Sequence, residues 1–217
     1  MKAMERFSNL SVPICTLFLC SIISGLCGCI STFSELQGAR LLGTGKYEAT
    51  VGYSSVRWSE NSEDTYSDDR FGVLLGAGLL DNIDLRMRYE RVSFGNDEGF
   101  NVLGFGPKVS IIPGKLALYT PVGFAFGSGL EVGDTFEFHP TAIFTIAASR
   151  MVDINTSGKI LFRKIDEDDM VAFNVGLAVS PESRRITFRP EIGTLFNPGE
   201  SGHFWHFSIA FSSIFGH

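Results

Sequence analysis

The chain reads as all-β: a transmembrane antiparallel meander β-barrel of about ten strands, preceded by an export leader. Three observations carry this. Ten segments of bilayer-crossing length alternate between apolar and polar positions, one of the two registers is free of charge between the strand ends, and the connections alternate short with long. The 217 residues include 24 Gly and 20 Phe with no low-complexity tract, which suits sheet rather than helix. The formal net charge of −6 argues against a nucleic-acid partner, whose binder needs a basic face.

The leader comes first. Lys2 and Arg6 form a basic start and Leu10 to Leu26 is largely apolar, the layout of a secretory signal. Pro13 and a run below the roughly 20 apolar residues of a spanning helix argue against a membrane anchor there. Leu26-Cys27-Gly28-Cys29 ends the leader and resembles the signal of bacterial lipoproteins, in which the thiol at the position of Cys29 takes the lipid. Cleavage before Cys29 removes Cys15, Cys20 and Cys27, so acylation would account for the one thiol left. Ile30 differs from the Asp that retains lipoproteins at the inner membrane in the enteric pattern, which permits sorting to the outer membrane. The expected organisation is a cleaved signal over 1–28, a lipid-anchored periplasmic linker over 29–45 and a barrel over 46–217.

The strands are expected at 46–58, 70–80, 83–92, 100–111, 116–127, 136–149, 152–162, 170–180, 185–196 and 203–215. Each is near the roughly 9 to 11 residues that a tilted strand needs to cross a bilayer. Successive side chains of a strand point to opposite faces, so alternate positions form two registers. One holds Val51, Tyr53, Phe71, Leu85, Met87, Phe105, Phe144, Phe173, Ile192, Phe207 and Phe211, and no charge. The other holds Glu48, Asp84, Arg86, Arg88, Glu90, Lys108, Glu137, Asp153, Lys159, Arg189 and Glu191, interspersed with glycine. A soluble sandwich or lipocalin-like barrel also alternates, but it would present a densely charged face to water. Here the charged register is largely small residues, which suits a cramped interior, and a sheet in lipid must close on itself.

The connections after strands two, four, six and eight are short, as in Leu80-Asp81-Asn82 and Ile112-Pro113-Gly114-Lys115. Those over 59–69, 93–99, 128–135, 163–169 and 197–202 are longer, and several are acidic, the first being the longest. Tight periplasmic turns and longer external loops produce this parity. An even strand count then returns both ends of the barrel to the periplasmic side, where the linker begins.

Residues 46–217 resemble the bacterial outer-membrane β-barrel superfamily. The stretch from Gly78 to Tyr89 is similar to its hairpins, with an apolar strand, an Asp/Asn turn and a strand of alternating charge. Trp205, Phe207, Ile209, Phe211, Ser213 and Phe215 resemble the aromatic-ended last strand that the family's barrel assembly machinery reads, although Gly216 and His217 follow it here. The resemblance implies the bacterial outer membrane as location, with N- and C-termini periplasmic, and outer-membrane lipid and the assembly machinery as partners. Pro107, Pro121, Pro140 and Pro190 fall inside expected strands and must be bulges or breaks, which leaves eight or twelve strands open.

The candidate site is the lumen. Charges confined in so narrow a space are expected to pair, Arg86, Arg88 and Arg189 meeting Glu48, Glu90 and Glu191, with Asp84 and Lys108 in the same network. The expected function is structural or surface-interaction, with a narrow pore for small solutes or ions as the alternative and a lipid-modifying enzyme third. Lipid-A deacylases are small barrels with a lipid-facing His/Ser pair, whereas His206 and Ser208 fall in the inner register. Omptin proteases share only the acidic loop composition. No enzyme motif, cofactor motif or zinc spacing occurs. The acidic loops 60–69 and 166–169 lack the spaced ligands of a dedicated calcium loop and are a place for an extracellular ligand.

Overall fold

The computed structural model describes residues 34–60, 63–94, 99–127, 129–163, 169–181 and 185–216. The leader and Cys29 lie outside them. Twelve strand segments follow one another: β1 (Lys46–Glu60), β2 (Glu63–Leu80), β3 (Ile83–Ser93), β4 (Gly99–Ile112), β5 (Leu116–Tyr119), β6 (Val122–Gly127), β7 (Glu137–Phe138), β8 (Thr141–Ala147), β9 (Val152–Arg163), β10 (Met170–Val179), β11 (Ile186–Phe196) and β12 (His203–Gly216). Every pairing is antiparallel, and β1 closes on β12 from Lys46 opposite Gly216 to Ser59 opposite His203.

Two of the four prolines explain why twelve segments make ten spans. β5 and β6 both pair with β4, and β7 and β8 both pair with β9, so each couple is one strand broken in its middle. The breaks fall at Thr120-Pro121 and His139-Pro140, where proline has no N–H to give the ladder. The neighbouring groups close the gap: Thr120 N donates to Pro107 O (3.1 Å), His139 N to Pro121 O (3.0 Å) and Ile160 N to Pro140 O (3.2 Å). Pro107 and Pro190 stay within β4 and β11, opposite Leu85 and Ile209. The count is therefore ten, not eight or twelve.

The longest expected loop, 59–69, is largely sheet. β1 and β2 stay paired out to Glu60 opposite Glu63, with a register shift between Trp58 and Ser59. Aromatic contacts support this outer end: Trp58 packs edge-on to Phe204 at 4.6 Å between ring centres, and Arg57 lies 5.5 Å over the Trp205 ring. Acidic content hid the strand, because polar residues on a hairpin standing in water give no apolar alternation.

The two registers separate as read. Phe71, Ile186, Ile192 and Phe211 are 56–60% exposed, and with Phe105, Phe173, Val175 and Phe207 they form an apolar outer face. The inner face carries Glu48, Asp84, Arg86, Arg88, Glu90, Lys108 and Glu191, all buried. A soluble protein would reverse this order, since apolar surface belongs out of water and charge in it. Lipid on the outside and a polar interior satisfy both faces. Accordingly Val175→Arg, in the middle of β10, should cost about 2–4 kcal/mol in denaturant unfolding from lipid vesicles, whereas Val175→Leu should be neutral.

Candidate functional site

The lumen is filled by the chain's own N-terminal segment. At the short-turn rim the backbone doubles back through Gly43 and Gly45, whose φ of 81° and 78° favour glycine. Gly45 N donates to Gly78 O (3.1 Å), and a side chain at Gly78 would collide with Gly43 O. From there residues 42 to 34 run up the barrel interior. Ser34, Glu35, Leu36, Gln37, Ala39 and Leu42 are all buried. The described chain begins at Ser34, beside Ser54 in the middle of β1, and not at the rim where the linker expected over 29–45 would start.

An extended segment without a neighbouring strand has backbone groups that must find other partners. The barrel wall supplies them. Leu42 N donates to both oxygens of Asp84 (3.2 Å each), Ala39 N to Thr145 Oγ1 (2.7 Å), and Glu35 N and Leu36 N to the two oxygens of Glu191 (2.7 and 2.8 Å). The carbonyls of Gly38 and Arg40 accept from Lys108 Nζ (2.5 and 3.0 Å), and Arg88 donates to Ser34. Side chains add two ion pairs, Glu35 with Lys159 (2.5 Å) and Arg40 with Asp153 (2.9 Å). Ala39 also packs against Ala117, Tyr119 and Ile143. Gly52 makes room for the plug, since a Cβ there would stand 2.9 Å from Leu36 Cδ1.

The charged residues named from the sequence meet as follows. Glu48 bridges Arg86 and Arg189, the latter at 3.0 Å, and Arg86 also binds Asp84 at 2.7 Å. Arg88 pairs with Glu90. Glu191 departs from the expected arginine pairing, because its carboxylate is taken by the plug's N–H groups. Lys108 likewise serves carbonyls and bonds no carboxylate. Among the described residues, Gln37 Oε1, Arg86 Nε, Glu90 Oε2 and Ser110 Oγ are the buried side-chain polar atoms left without a partner.

Glu35, Arg40 and Thr145 were not named from the sequence, and Asp153 and Lys159 were placed in the inner register but not in the expected charge network. The available signal was volume: the glycines of the inner register leave more space than its charged side chains fill. A second network crosses the wall higher up. His206 Nδ1 lies 2.7 Å from Ser208 Oγ, which donates to Ser54 Oγ (2.7 Å), while Nε2 lies 3.0 Å from Asn174 Oδ1 and 4.0 Å from Glu191. A serine, a histidine and a carboxylate therefore do approach one another, which sequence reasoning did not foresee. His206 and Ser208 are fully buried (0% exposed), so this contact ties β12 to β1 and β10 within the packed lumen and meets no solvent. Among the described residues no three metal-ligating side chains come together.

No protein-family model matches the chain, and no curated protein matches it in sequence. Among solved structures it is similar to the attachment invasion locus protein Ail of Yersinia pestis, with TM-score 0.40 and 14% identity over 79% of this chain and 99% of that one. It is also similar to the translocator domain of the autotransporter NalP from Neisseria meningitidis (TM-score 0.41, 7% identity, 79% and 88% covered). A third is the outer membrane protein OprG from Pseudomonas aeruginosa (TM-score 0.29, 11% identity, 83% and 100% covered). By its closed ten-span ladder, apolar outer face and charged interior, the chain is a closed antiparallel β-barrel with the architecture of a membrane-spanning barrel.

Proposed function

We propose that the protein is a lipid-anchored outer-membrane barrel, closed to solutes by its own N-terminal segment, with a structural or surface-interaction role and no catalytic one. The observation that carries this is the occupancy of the lumen by residues 34–42, held by wall groups from β3, β4, β8, β9 and β11. An open channel would have no use for so many buried charge-assisted bonds to a segment lying in its path. Cys29 carries the lipid in this reading, outer-membrane lipid surrounds the apolar face, the assembly machinery reads β12, and the start of β1 and the end of β12 lie at the periplasmic rim. The outer end of the β1–β2 hairpin, with acids such as Glu60 and Asp69, is where an extracellular ligand would bind.

The purified full chain in planar bilayers should give no discrete conductance steps, and radiolabelled palmitate should enter the wild-type protein but not Cys29→Ala. Ohmic steps from the intact protein would replace the structural role with the narrow-pore reading. That second reading is favoured by one feature, a cavity of about 530 Å3 below the plug at the short-turn end.

A further inference from the structure

We infer that this cavity is a binding site for a small multivalent anion of the phosphate or carboxylate class. The inference goes beyond the proposed role and stands whether or not the barrel conducts. At about 530 Å3 the cavity falls within the range of small-molecule sites. Its walls bring together Arg40, Lys46, Arg86, Lys108, Arg185 and Arg189, against the carboxylates of Glu48 and Asp153.

Accounting for each charge leaves an excess. Asp153 is engaged in two bonds by Arg40 (2.9 and 3.1 Å). Glu48 is shared by Arg86 and Arg189, with Asp84 behind Arg86 as the second carboxylate of that group. Lys108, buried in the wall, bonds only carbonyl oxygens. Lys46 and Arg185, exposed at the cavity's mouth, have no carboxylate partner among the described residues. Among the described residues, three basic side chains thus border one cavity without bonding a carboxylate. Lys46 and Arg185 stand in water at the mouth and Lys108 inside, so their like charges focus a positive field into the cavity that a bound anion relieves. Three cations rather than one favour an anion of charge two or more. Neutral donors complete the lining: Thr187 and Ser180 from the wall, and Gln37 from the plug, which roofs the cavity.

The test uses the full chain in detergent micelles, titrated calorimetrically with pyrophosphate and separately with citrate in chloride buffer at fixed ionic strength. The expected result is one saturable site for at least one of them, weakened at least about tenfold by the double substitution Lys46→Gln with Arg185→Gln. Heat-modifiable gel migration verifies that the variant is folded, and neither side chain has a described partner to lose. Thr187→Val, which changes no charge, should weaken binding several-fold. Binding of pyrophosphate but not citrate assigns a phosphate ligand, and the converse a carboxylate. Non-saturable heats with both anions, or a folded double variant that binds as tightly as the parent, would overturn the inference.

Discussion

Replacing residues 34–42 by a glycine–serine segment of equal length should convert a silent barrel into one that conducts in discrete, salt-dependent steps. The replacement removes the side chains of Glu35, Leu36, Gln37, Arg40 and Leu42, and with them the ion pairs to Lys159 and Asp153. The wall is then left with Glu191, Asp84, Lys108 and Arg88 facing a segment that has lost its fixed register. A flexible chain of this kind loses conformational entropy on ordering and has little apolar area with which to offset it. Water and ions then enter along the charged inner register. The same variant should unfold at lower denaturant concentration, since buried charges are left without partners. A variant as silent as the parent in bilayers would show that the wall itself, and not the plug, blocks the lumen.

The second large effect is expected at Glu48. Its two carboxylate oxygens accept from Arg86 and Arg189, and its side chain is buried. Glu48→Gln keeps the shape and removes the charge, leaving two guanidinium groups facing a neutral amide and only Asp84 to answer them. Breaking one side of a buried pair costs about 3–5 kcal/mol, because the stranded charge is desolvated without compensation. Denaturant unfolding in lipid vesicles should register a loss of that size. Adding Arg189→Met to Glu48→Gln should recover part of it, and a double-mutant cycle gives the coupling directly. A loss below about 1 kcal/mol for the single variant would mean that water already screens the pair.

Most of the barrel was legible in the sequence because its signal is local. Phe71, Val73 and Leu75 against Gly72, Leu74 and Gly76 state the pleat without reference to any partner strand. Pro121 and Pro140 were visible as faults, but that each fault splits a strand and keeps it depends on the carbonyls of Pro107 and Pro140 and the N–H groups across the gap. The charged register was legible as a set and its pairing only in part. Arg88 and Glu90 share one strand face, whereas Glu191 answers to the backbone of Glu35 and Leu36, 156 and 155 positions away. The plug was illegible for a physical reason. A segment whose backbone hydrogen bonds go to side chains of other elements needs neither period two nor period 3.6, so Ser34 to Leu42 reads like any linker.

The covalent continuity of the plug with β1 constrains the order of assembly. The seam between β1 and β12 joins the two ends of the sheet, and the plug contacts the wall on both sides of that seam, from Asp84 on β3 to Glu191 on β11. If the seam zipped first, a charged strip would have to be threaded afterwards into a narrow finished tube, shedding the hydration of Glu35 on the way. Laid down early, the strip serves as a mandrel around which the sheet curls, and each hairpin that docks captures one of its amides or carbonyls. The last step is then the zippering of first strand to last, over a core already in place.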